Sequence, residues 1–145
     1  MAEITYRPAG ADDAVFIRSL IHKVRINPVG LNWRRFLLAV TPEGEVVGCA
    51  QIKPHYDGSL ELASLAVEPA WRGRGTARRL IDQLLETSPR PIYLTCRSGL
   101  GPFYGKFGFR IANPDDLPPY FRRLKRLVDI FIHVKHGDAL LIMCC

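Results

Sequence analysis

The sequence has no apolar run that approaches the ~20 residues needed to span a bilayer, and its opening, "MAEITYRPAG", has no signal-peptide core. A cytoplasmic protein is the expectation. Cysteine is scarce and unpatterned. Cys49, Cys96, Cys144 and Cys145 show no CxxC spacing, and neighbours such as Cys144 and Cys145 rarely pair with each other. That excludes a disulfide scaffold and points to free thiols in a reducing compartment. Histidine is equally scarce, at four residues: His133 and His136 lack further ligand partners, and no metal is expected. Repeats and low-complexity segments are absent. Acidic residues are outnumbered, 14 against 20 Lys and Arg, for a formal charge of +6. The excess gathers at Arg72/Arg74/Arg78/Arg79 and at Arg122/Arg123/Lys125/Arg126. Such clusters suit nucleic acid, a membrane surface or a phosphorylated small molecule, or merely keep the protein in solution.

What is present is a core. Apolar residues make up 48% of 145 positions, enough for one ordinary domain spanning residues 1–145. "EITYRPA" (3–9) alternates as a first strand, and "ADDAVFIRSLIHKV" (11–24) reads as a helix. Asp12 or Asp13 is its expected cap, with Val15, Phe16, Leu20 and Val24 at helical spacing. "RINPVGLNW" is loop. Residues 35–54 read as a hairpin of "RFLLAV" and "VVGCAQIKP" around "TPEGE". After the turn "HYDG" comes the strand "SLELASLAV", ended by Pro69. "TARRLIDQLLET" then forms an amphipathic helix with Leu80, Ile81, Leu84 and Leu85 on one face. "PIYLTC" is a short buried strand, "GPFYGKFGF" a brief helix that breaks at Gly108, and a further helix starts near Pro119 before a terminal strand in "DALLIMCC". The order predicts an α/β or α+β fold with a mostly antiparallel front half.

The stretch "AVEPAWRGRGTARRL" is denser in glycine and arginine than a structural turn requires. A helix start leaves N–H groups unpaired and carries the positive end of the helix dipole, so it favours an anion. Gly73 and Gly75 remove side chains that would keep a ligand from the backbone, and Arg72 and Arg74 add charge. A pyrophosphate suits such a site. The loop matches neither GxxxxGK(S/T) nor GxGxxG.

It closely resembles the acyl-CoA-binding motif of the GCN5-related N-acetyltransferases (GNAT), R/Q-x-x-G-x-G/A, with Arg72, Gly75 and Ala77 in the specified places and a strand, a Val-x-Pro exit and an amphipathic helix around them. "FYGKFGF" resembles the family's later motif, with Tyr104, Gly108 and Phe109 matching, and it follows "PIYLTC" as in the family. The resemblance implies a mixed, mostly antiparallel sheet splayed at its centre, with helices on both faces. Acetyl-CoA would be the co-substrate, its pantetheine arm paired with the main chain of Leu65, Ala66 and Val67. Its pyrophosphate would be held by N–H groups of Gly73, Arg74, Gly75, Thr76, Ala77 and Arg78, beside Arg72.

Acetyl transfer needs a neutral amine, a polarised thioester carbonyl and a proton for the departing thiolate. Tyr104 matches the family's tyrosine and is the expected general acid; the alternative is a packing or CoA-contacting tyrosine. Glu61 shares the strand that leads to the motif, in period-2 register with Ala63, Leu65 and Val67. It is the candidate base, acting through a water, unless it is a solvent-facing strand charge. His22 and His55 are weaker candidates. Cys96 is a candidate nucleophile for a covalent route, against the reading of a buried structural thiol.

For the acceptor, "LELASLAV" (60–67), "LTCRS" (94–98) and "DLPPYFRRLKRL" (116–127) resemble the acetyltransferase domain of N-acetylglutamate synthases. The sequence departs from these in having no amino-acid-kinase domain and a fuller RGRGTA loop. The likeness implies a small amine bearing a carboxylate, with Arg97 as its binding residue or else a surface arginine. Three alternatives stay open: a protein or peptide N-acetyltransferase, a non-catalytic CoA-binding regulator, and a nucleic-acid module using "YFRRLKRL", although no base-reading motif accompanies that segment. The apolar terminus is a candidate for a sheet shared in a homodimer.

Overall fold

The structure, a computed structural model, describes residues 3–131 and 139–145. His133, His136 and Asp138 lie outside the described residues. The chain divides into two compact units, residues 1–53 with 62–88 and residues 54–61 with 89–145.

The first unit contains β1 (Thr5–Pro8), α1 (Ala14–Lys23), β2 (Phe36–Val40), β3 (Val46–Pro54, all but its last residue), β4 (Leu60–Val67, from Leu62 on) and α2 (Thr76–Glu86). Its strand order is β1-β2-β3-β4. β1 runs antiparallel to β2 from Thr5↔Val40 to Pro8↔Leu37, and β2 antiparallel to β3 from Phe36↔Gln51 to Val40↔Val46. Every residue of β2 is buried, as expected of a central strand whose sequence, "FLLAV", has no polar alternation. Ile17, Leu20 and Ile21 of α1 pack with Phe36, Leu38, Val40, Cys49 and Ala66. Each such aliphatic side chain contributes about 1.5–3 kcal/mol on burial. The buried face of α1 differs from the expected one: Val15 and Phe16 are exposed, and Ile17 takes the inward position. Neither Asp12 nor Asp13 caps α1 through its side chain. The Asp13 carboxylate instead accepts from the Gly10 N–H at 2.7 Å and from both terminal nitrogens of Arg7 at 2.8 and 3.1 Å. Hydrogen bonding from Arg7 holds the Asp13 carboxyl below its ordinary range.

The second unit contains the start of β4, β5 (Ile92–Arg97), α3 (Gly101–Gly105), β6 (Arg110–Ile111), α4 (Pro119–Phe131) and β7 (Leu140–Cys144). Its strand order is β4-β5-β7-β6. β7 is antiparallel to β5 (Tyr93↔Cys144 to Arg97↔Leu140) and to β6. β4 runs parallel to β5, with a paired register of two positions, Leu60↔Ile92 and Glu61↔Tyr93. Among the described residues, seven strands, mostly antiparallel, with helices between them give the mixed α/β class that the element order predicts. The two-residue β6 escapes periodicity because it is too short to show any. Phe121 of α4 is fully buried against Tyr93, Ala112, Leu117 and Ile142. α4 begins at Pro119, where a missing N–H is harmless, and the Tyr120 N–H is taken up by Asp57 Oδ2 at 2.9 Å. No helix among the described residues is long and apolar enough to cross a membrane.

Candidate active site

In the first unit the site is a helix start made open by glycine. Gly73 and Gly75 both have φ +78°, the left-handed region that excludes most side chains, and a Cβ at either would meet open space. The bar to substitution is therefore backbone strain rather than crowding. Gly75 sits at the N-cap of α2 without a side-chain cap. Among the described residues, the N–H groups of Gly73, Arg74, Gly75, Thr76 and Ala77 meet no acceptor, while further into the helix the Arg79 amide bonds back to the Gly75 carbonyl at 3.1 Å. Five free donors at the positive end of an eleven-residue helix form an anion cradle. The helix can approach the sheet because residue 48 is a glycine. A Cβ there would lie 3.0 Å from Thr76 Cγ2 and 3.2 Å from Leu80 Cδ1.

The arginines do less than their number suggests. Arg72 folds back, its Nε donating to the Val67 carbonyl at 3.3 Å, and so seals the end of β4. The Arg74 guanidinium stacks 4.6 Å over the Trp71 ring, and Arg79 lies 5.3 Å over Tyr6. Arg78 is exposed. Leu65, Ala66 and Val67 follow a break in β4: Ser64 has φ +58°, far from extended backbone. Gln51 Nε2 donates to Ser64 Oγ at 2.9 Å, and Cys49 Sγ to the Ser64 carbonyl at 3.5 Å, which holds the break in place. The kink disrupts the strict alternation expected from Glu61 to Val67, and the observed burial is irregular along the strand.

In the second unit Glu61 is 9% exposed, not a solvent-facing charge. Its Oε1 lies 2.7 Å from His55 Nε2. The imidazole stacks on Tyr120 with ring centroids 3.5 Å apart and planes at 12°, and the edge of Phe121 closes another side. The turn that carries His55 is tied by the Gly58 N–H to the His55 carbonyl at 3.0 Å. Asp57 Oδ1 accepts from the Ser59 amide and hydroxyl at 2.9 and 2.6 Å. Burial alone would raise the Asp57 carboxyl; the hydrogen bonds from Ser59 and Tyr120 outweigh it and hold it at about 2. Burial, and then the neighbouring Glu61, push the Tyr120 phenol up, so it stays neutral.

Tyr104 lies on α3, half-buried, with its ring edge-on to Phe103 and Phe109. Its hydroxyl meets no partner among the described residues. Burial, followed by the effect of Cys96, pushes the phenol up to about 12. The group is therefore a proton donor over the whole ordinary pH range. Cys96 is 7% exposed, its thiol 3.9 Å from Met143 Sδ and pushed up by burial. A thiol kept protonated in this way fits the structural reading rather than the nucleophile. Arg97 ends β5, exposed and without a partner among the described residues. His22 belongs to the exposed last turn of α1. No group of three His, Cys, Asp or Glu side chains suited to a metal occurs among the described residues.

The pairing of Glu61 with His55 is the arrangement that sequence reasoning missed. Its signal was present in "HYDGSLE": a four-residue turn returns the chain so that the residue before the turn and the second residue of the next strand become neighbours.

The Acetyltransferase (GNAT) domain model matches residues 32–111, more than half of the chain. Among solved structures, N-acetylglutamate synthase from Neisseria gonorrhoeae complexed with coenzyme A and N-acetyl-glutamate is similar at 22% identity and a TM-score of 0.72, over 99% of this chain and 35% of that one. The present chain thus spans about a third of that enzyme's length. A Mycobacterium tuberculosis protein in complex with CoA matches at 21% identity and 0.70, over 95% of this chain and 97% of that one. Escherichia coli ElaA matches at 19% identity and 0.69, over 99% of both. At these identities the solved structures establish the fold; the domain match, which takes in β2 through β6 and with them the glycine cradle and Tyr104, establishes that the chain belongs to the GNAT acetyltransferase family.

Proposed function

We propose that the protein is an N-acetyltransferase that moves the acetyl group of acetyl-CoA directly to a primary amine. The observation that carries this reading is the row of unpartnered N–H groups from Gly73 to Ala77 at the start of α2. A pyrophosphate supplies the acceptors that this row lacks, with Arg72, Arg74 and Arg78 lending charge at its rim. The main chain of Leu65, Ala66 and Val67 takes the pantetheine arm. An attacking neutral amine forms the C–N bond, the C–S bond breaks, and Tyr104 protonates the departing thiolate. The unpartnered hydroxyl and raised phenol of Tyr104 support that role. The Glu61–His55 pair is assigned the base function.

For the acceptor we propose a small amine bearing a carboxylate, bound by Arg97 through a charge-assisted pair. The free, exposed Arg97 supports this, as does the likeness to a synthase solved with N-acetyl-glutamate. Calorimetry with acetyl-CoA, followed by a turnover screen across amino acids, polyamines and peptides, tests both parts. Absence of acetyl-CoA binding refutes the first; preference for polyamines or peptide N-termini over every free amino acid refutes the second.

A further inference from the structure

The Glu61–His55 pair sits in a setting built for orientation. Two of its closest neighbours are the flat face of Tyr120 and the edge of Phe121, so the imidazole plane is fixed from two directions. The side chains of His55 and Glu61 are 7% and 12% exposed. An ionised carboxylate can only accept a hydrogen bond, so the 2.7 Å contact assigns a proton to Nε2 and leaves Nδ1 with its lone pair, which meets no partner among the described residues. The carboxylate thus selects one tautomer and stands ready to neutralise a positive charge on the ring. The other groups around it do not compete. Asp57 is engaged by Ser59 and by the Tyr120 amide, Tyr93, which stands opposite Glu61 on β5, is a neutral phenol stacked on Phe121, and the Arg123 guanidinium lies 5.5 Å over Tyr56.

We infer that the proton acceptor of the reaction is His55, through Nδ1, and that Glu61 is its positioning residue rather than the base itself. This rests on the acetyltransferase reading and deepens it. An imidazole is intrinsically a stronger base than a carboxylate and better matched to an ammonium donor near neutral pH. The proton balance closes. Nδ1 takes one proton from the bound ammonium and later releases it to water. The neutral amine forms the C–N bond as the C–S bond breaks, Tyr104 gives its proton to the thiolate, and the second amine proton restores Tyr104.

The test compares His55→Gln and Glu61→Gln with wild type, with acetyl-CoA affinity measured on each to show that the fold is retained. Gln at 55 keeps an N–H donor toward Glu61 but cannot take up a proton. The expected result is a fall of about 10²-fold in kcat, a typical general-base contribution, with loss of the acid limb of the pH–rate profile. Glu61→Gln is expected to keep an acid limb at a displaced pH with a smaller fall in kcat. Nitrogen-15 spectra of the imidazole in the resting protein give a readout independent of turnover. Protonated Nε2 beside bare Nδ1 is expected; the opposite tautomer overturns the inference. A His55→Gln variant with wild-type kcat and an unchanged acid limb overturns the dyad alone. Absence of wild-type turnover with every amine overturns the acetyltransferase reading and the role of the dyad with it.

Discussion

The loop before α2 and the cluster around Glu61 are organised in opposite ways. The first is exposed and works through the backbone: two glycines in the left-handed region, five free amides, and arginines largely occupied with Val67 and Trp71. The second is enclosed and built from side chains, with Glu61 set against His55, Asp57 against the Tyr120 amide, and an aromatic wall behind them. On the proposed function, the first is a site for a large, flexible anion and is left unsatisfied until the ligand arrives. The second, on the same proposal, moves a proton and has to be pre-organised, because a misplaced donor loses most of its effect.

Changes to side-chain chemistry should then show in turnover, and changes to the cradle in binding. The largest effect is expected from Tyr104→Phe, a fall of about 10²-fold or more in kcat with acetyl-CoA affinity unchanged by calorimetry. Because the phenol titrates only at about 12, wild type should show no alkaline loss of activity from this group below about pH 10. Next comes Gly75→Glu. A side chain in the left-handed region costs about 1–2 kcal/mol, and a carboxylate at the helix start opposes a bound anion by up to ~2 kcal/mol more. Roughly 10²-fold weaker acetyl-CoA binding is expected. Removal of Arg74, exposed and stacked on Trp71, should weaken binding by less than about 5-fold. If Arg74→Ala proves as damaging as Gly75→Glu, the cradle is a side-chain site after all and the contrast fails.

Arg97→Ala should lower kcat/KM for an amino acid by roughly 30- to 150-fold, the loss of about 2–3 kcal/mol for a charge-assisted pair, while the decarboxylated amine is spared. Equal loss for both removes Arg97 from the acceptor site. The smallest effect is one on stability. Asp57→Asn should weaken the tie to the start of α4 by about 0.5–2 kcal/mol in denaturant melts near neutral pH. The sign follows from the depressed carboxyl: its contribution is present above the unfolded value near ~3.9 and is lost as the pH falls toward about 2. The wild-type advantage over Asp57→Asn should therefore shrink across that window; an advantage constant with pH would mean that Asp57 acts without its charge.

The sequence by itself determined the elements whose causes are local. α2 reads directly from Leu80, Ile81, Leu84 and Leu85 at helical spacing, and the cradle from two glycines placed where a helix begins, since dipole and free amides belong to any helix start. The hairpin of residues 35–54 likewise follows from its own turn and apolar runs. Tertiary structure decided the rest. Which face of α1 is buried was settled by the sheet it meets, so Ile17 displaced Phe16 inward. The use of Arg72 was settled by the carbonyl at the end of β4, because an arginine beside a cradle is free to bond backwards. The state of Glu61 depended on three segments at once: the turn that returns His55 to it, β5 opposite it, and Tyr120 arriving from almost sixty residues away. The turn in "HYDGSLE" carries the local part of this meeting, but no local pattern encodes the arrival of β5 and Tyr120, because packing of distant side chains, rather than propensity, decides whether that carboxylate and imidazole are enclosed.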